Sequence, residues 1–173
     1  MSNIHPVLVH FPIALIIVMF ILDLLGLLFK RDRLKQSAFI LTWFALAGAA
    51  AAVVSGLIAE DIGWRPASVG EMLETHELMG FLTLGFMALL AVVRTVFREK
   101  IESGLGWLPA VIGGLAIIFV AYGGYLGGEM VYTYGSGVKA AETASRNDSI
   151  PEDKLKTQER SDKRDNHEFN DSD

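Results

Sequence analysis

Apolar residues gather into four long blocks separated by short polar stretches. The first runs from about Pro6 to Phe29 (PVLVHFPIALIIVMFILDLLGLLF), the second from about Ser37 to Ala59. The third runs from about Thr75 to Phe97 and the fourth from about Leu108 to Gly128. At about 1.5 Å per residue, roughly 20 residues cover a hydrocarbon core of about 30 Å. The apolar character is continuous, and each block far exceeds strand length. A helix also satisfies its own backbone groups in lipid, which an open sheet edge does not. The pattern predicts an all-α fold, a four-helix transmembrane bundle.

Local signals refine the helix ends. Pro6 suits the first turn of helix one, with His5 at the cap and His10 about one turn in. Pro12 removes a backbone bond and predicts a kink beside His10. Ser68 followed by Glu71 matches a capping box, so helix three should start near Val69 and carry His76 about two turns in. Residues 1–138 form the membrane domain on this pattern. From Lys139 to Asp173 the chain is polar, mixed in charge and nearly free of aromatics, which predicts a disordered tail. Gly48, Ala52 and Gly56 fall four apart, as do Gly123 with Gly127 and Gly124 with Gly128. Such faces let helix backbones approach closely, or let a flat ligand lie against them.

Charge sets an orientation. Lys30, Arg31, Arg33 and Lys35 lie between blocks one and two, and Arg94, Arg98 and Lys100 cluster before block four. The connection between blocks two and three carries Arg65 among several acids. The positive-inside rule then puts both termini and the second loop outside a bacterial cytoplasmic membrane. Trp64 and Trp107 sit where interfacial anchors belong, on opposite sides. A net charge of −5 argues against nucleic acid, which needs a basic face. With no cysteine, thiolate zinc, iron–sulfur ligation and covalent haem attachment are excluded. The first block is too long for a signal core and lacks a basic start, so no cleavable leader is expected.

Three histidines, His5, His10 and His76, fall near the expected outer face; His167 lies in the tail. Histidine within a span is costly unless it faces the bundle, water or a ligand. Neutral imidazole is a good axial ligand for haem iron. His10 on helix one and His76 on helix three are expected at one level, able to hold a haem b between them. Gly80 and Ala14, each one turn below a histidine, leave space. His5 is a supporting residue, because five positions turn about 140° and rise about 7.5 Å along a regular helix. The same residues with Glu129 or Glu60 offer a divalent-metal site as an alternative. A third possibility is that the histidines only satisfy hydrogen bonds. Asp23, deep in helix one, calls for a partner, with Arg94 or Arg98 the candidates. No hydrolytic triad is present, and nothing suggests the broken helices of a secondary transporter.

The opening His5-Pro6 … Val9-His10-Phe11-Pro12-Ile13-Ala14 resembles the start of a bacterial membrane-protein family catalogued as the domain of unknown function numbered 2231. Thr75-His76 and the close Gly123-Gly124-Tyr125-Leu126-Gly127-Gly128 … Val131-Tyr132 … Tyr134-Gly135 … Gly137-Val138 match it too. The resemblance covers about residues 1 to 140. It implies a four-helix membrane domain, found in some relatives beside redox modules, with no settled activity. Its layout is similar to that of small b-type cytochrome membrane subunits. The expected function is therefore electron transfer by a bis-histidine haem, with a separate redox partner and a homo-oligomer both compatible. The alternative is a non-redox membrane assembly or interaction protein. No catalytic motif points to an enzyme.

Overall fold

A computed structural model describes residues 4–62, 64–98, 104–138 and 143. A one-turn helix α1 (His5–Leu8) leads into α2 (His10–Leu28), and α3 (Asp32–Ile62) returns. A 3-10 turn (Ala67–Val69) opens α4 (Gly70–Val96), and α5 (Leu108–Tyr132) completes the fold. Among the described residues there is no strand. The expected tail, Thr143 apart, lies outside the described residues, as does Lys100.

Four spans of 24, 30, 30 and 25 residues are long and apolar enough to cross a membrane. The bundle is an antiparallel ring in which α2 packs on α3, α3 on α4, α4 on α5, and α5 back on α2. α2 and α4 therefore face each other across the ring. The interior is built of Ile16, Met19, Met87 and Leu90 with small residues such as Ala38, Ala45 and Ala116. The exterior carries large apolar side chains, among them Ile17, Phe44, Ile58, Phe81, Val92 and Ile118. Small residues between a few larger ones inside, with bulky apolar side chains outside, are the packing of helices in lipid, where close backbone approach replaces the hydrophobic drive.

Two helix ends differ from the sequence pattern. Ser68 does not cap α4: the N-cap is Val69, without a side-chain cap bond. Pro66 is extended (φ −65°, ψ 148°) and starts a 3-10 turn that runs straight into α4, so Ser68 occupies a position within the turn. α3 begins at Asp32 rather than near Ser37, because much of the polar KRDRLK stretch is helical; Asp32 in its first turn complements the helix dipole. At the expected Pro12 kink one ladder bond is missing, but Val9 keeps helical angles (φ −65°, ψ −27°) and His5–Leu28 runs as one span. Proline has no N–H to offer the Leu8 carbonyl, so the helical ladder is interrupted there.

Beyond α5, Gly135 and Gly137 have φ of 69° and 74°, a conformation glycine adopts without strain. The Ser136 N–H turns back to the Met130 carbonyl (2.9 Å), and the Gly137 N–H donates to the Trp64 carbonyl (2.9 Å). The exit of α5 is thus tied to the loop between α3 and α4.

Candidate functional site

The buried residues of α2 are Pro12, Ile16, Met19, Asp23 and Gly26, a stripe stepping by three and four. That stripe, carried back one heptad from Pro12, reaches His5. His10 lies about 200° away from Pro12 around the helix. Accordingly His10 is exposed, and its Nδ1 donates to the Pro6 carbonyl one turn before. His5 instead turns inward, and its ring centre lies 6.2 Å from that of His76 with the planes at 90°. The bundle brings together His5 and His76, not His10 and His76.

Each ring rests on a glycine. A Cβ at Gly56 of α3 would stand 3.1 Å from His5 Cε1, and one at Gly127 of α5 would stand 3.2 Å from His76 Cε1. The four-residue glycine spacing seen in the sequence thus gives flat backbone for the imidazoles to lie against. Gly48 receives Pro12 and Phe11 in the same way, and Gly123 receives Met79. On the other side of α5, Gly124 and Gly128 have nothing within 4 Å of an added Cβ. Gly80 faces Val53 of α3, at 3.8 Å from its would-be Cβ. It spaces α4 from α3.

A hydrogen bond fixes which ring nitrogen of His76 carries the proton. His76 Nδ1 lies 2.8 Å from the Gly123 carbonyl, which only accepts, so Nδ1–H donates. His5 Nδ1 lies 2.9 Å from Ser55 Oγ. The Ser55 hydroxyl also lies 2.9 Å from the Ala52 carbonyl, and His5 itself is bonded to the Ala52 backbone. Ser55 carries no motif; its only sequence signal is a hydroxyl inside the small-residue face of α3.

Around this end lie acids: Glu60 pairs with Arg65 (3.2 Å), and Glu77 faces Glu60, Arg65 and Glu74. Among the described residues no group of three His, Cys, Asp or Glu side chains is placed to hold a metal ion, so His10, His76 and Glu129 do not converge. At the opposite end of the bundle Asp23 of α2 and Arg94 of α4 form a buried ion pair, each 6 % exposed. Of the two cations weighed for Asp23, Arg94 supplies the bond.

The family model described as a predicted membrane protein, domain of unknown function 2231, matches residues 1–140. The chain belongs to this family. The match takes in all four spans and both paired histidines, so the His5–His76 contact lies within the family domain. No curated protein and no solved structure matches the chain. It is an integral membrane protein by family and by its four apolar helices.

Proposed function

We propose that this chain is a b-type haem membrane protein that passes electrons, and that His5 and His76 are the residues that would hold the haem. The His5–His76 pair carries this reading. The two residues stand on the first and third spans with ring centres 6.2 Å apart. His76 Nδ1–H donates to the Gly123 carbonyl and His5 Nδ1 lies against Ser55 Oγ, the kind of outer-sphere bond that orients a metal-bound histidine. A bare divalent ion asks for further protein ligands, whereas a porphyrin brings four nitrogens and asks only for the axial pair. The donor set fits the macrocycle better than the bare ion.

Bound there, haem supplies a one-electron couple whose potential is tuned by axial ligands and their hydrogen bonds. The chain's own contribution is placement. The Gly123 carbonyl and the Ser55 hydroxyl orient the rings, and Gly56 and Gly127 let them sit close to α3 and α5. The histidine end belongs on the external face of a cytoplasmic membrane, because Lys30, Arg31, Arg33 and Lys35 mark the other end. Any electron partner is a separate molecule meeting that face.

Purified protein in detergent, reconstituted with haem, should show a Soret band and sharp reduced α and β bands. His5→Ala and His76→Ala should each abolish the low-spin spectrum, while His10→Ala keeps it. Absence of any Soret band in the reconstituted wild type overturns the haem reading. Orientation is tested by single introduced cysteines: the natural chain has none, so every labelled site is the introduced one. A second reading draws on the same hydrogen bonds, which also tie α1 to α3 and α4 to α5. On it the rings are tethers of a membrane assembly protein. The histidine variants would then lower stability in protein that never takes up colour.

A further inference from the structure

We propose that the turn between α2 and α3 is a binding site for an anionic phospholipid, whose headgroup phosphate is held by Lys30, Arg31 and Arg33. The site lies at the opposite end of the bundle from the histidines and does not rest on the haem reading.

The first span leaves the hydrocarbon here. Leu28 and Phe29 close it, each 65 % exposed, and Lys30 and Arg31 follow directly. A cleft of about 760 Å³ is lined by Lys30, Arg31, Asp32, Arg33 and Leu34. Residues 30–35 carry four cations against one acid, and that acid, Asp32, is taken by Lys35 at 3.3 Å. Lys30, Arg31 and Arg33 are exposed and enter no ion pair among the described residues. The loop between α4 and α5, at the same end, adds no net charge, because Arg98 and Lys100 are matched in sequence by Glu99 and Glu102. Three uncommitted cations, set where a span meets the headgroups, are the chemistry that recognises a phosphate with no compensating ammonium.

The backbone of the turn points the same way. The Phe29 N–H donates to the Leu25 carbonyl (2.9 Å) and the Arg31 N–H to the Gly26 carbonyl (3.0 Å), a helix ending that places a left-handed residue between them. That residue is Lys30, at φ 53°, the one non-glycine with positive φ among the described residues. Glycine would sit there without strain; what lysine adds is an ammonium group lining the cleft. Gly26, where an added Cβ would stand 2.8 Å from Lys35 Cγ, lets α3 start close against α2 and keeps the turn tight.

The test uses full-length protein in neutral detergent, titrated with phosphatidylglycerol or with phosphatidylcholine of the same acyl chains. Native mass spectrometry reads the lipid retained. Wild type should hold the anionic lipid more tightly. Arg31→Gln and Arg33→Gln should each weaken that association about fivefold, the equivalent of about 1 kcal/mol per cation near a membrane surface. Lys30→Gly should weaken it by a similar factor and yet melt no lower than wild type, because glycine relieves the turn. Lipid loss that comes only with a lowered melting temperature overturns a direct role for these cations. Arg65→Gln removes a cation at the other end of the bundle and should leave the preference unchanged. An equal drop there would mean that overall charge selects the lipid, and the site falls. Inorganic phosphate at matched ionic strength should displace no more lipid than chloride does. Displacement by phosphate makes this a site for a free anion and overturns the lipid. Equal retention of the two lipids by wild type overturns the proposal outright, even if every variant fails to fold, and leaves the cations the single task of orienting the chain.

Discussion

The two ends of the bundle solve the same problem with different chemistry. Around the ring the helices pack closely through small residues, but the first and third spans meet only across it. One polar contact bridges them at each end, His5 to His76 and Asp23 to Arg94. At the basic end two full charges neutralise each other in an apolar interior, and neither suffices without the other. At the histidine end each ring is hydrogen-bonded to an oxygen on a neighbouring helix. The ion pair thus joins α2 to α4 directly, whereas the ring bonds tie α1 to α3 and α4 to α5.

That contrast can be broken most forcefully at the ion pair. Arg94→Ala leaves a buried carboxylate alone and should cost about 3–5 kcal/mol in unfolding by denaturant in detergent. The double variant Asp23→Asn, Arg94→Gln should recover a good part of that loss. If Arg94→Ala unfolds like wild type, the pair does not hold α2 to α4 as described. Next comes His76→Ala, for which the expected readout is loss of the haem spectrum, with Asp23→Asn, Arg94→Gln protein still taking up colour. Colour loss in both would mean that the ends are not separable. A smaller effect is expected from Gly127→Val, which crowds the His76 ring and should cost about 1–3 kcal/mol. Gly124→Ala, one turn earlier on the open face, should change stability by less than about 0.5 kcal/mol. Equal costs at the two glycines would remove the argument from the glycine cradle. The smallest effect belongs to His10→Ala, within about 0.5 kcal/mol of wild type and with the haem spectrum unchanged. A large loss there would return His10 to the site.

Four spans were legible in the sequence because lipid imposes a length and a composition at once, and no local turn chemistry can mask either. The need of Asp23 for a partner was legible for the same reason. Which histidine turns inward was harder. His10 lies deeper in its block than His5, and depth alone favours it. Yet Asp23, once required to face the bundle, fixes the stripe through Met19, Ile16 and Pro12, and that stripe returns to His5. Carrying the phase of a known inward residue along the helix would have found the pair. Ser55 was not legible, since a lone serine among alanines and glycines gains its meaning only from a ring contributed by a residue fifty positions away. The failed cap at Ser68 has a local cause, the extended Pro66 that places a 3-10 turn where a cap was expected.

Because Val9 keeps helical angles, the bond lost to Pro12 does not turn the first residues of the span out of phase with the rest. His5 is thereby carried on the same inward stripe as Pro12, Ile16, Met19 and Asp23, and the 24 residues from His5 to Leu28 cross as one rod.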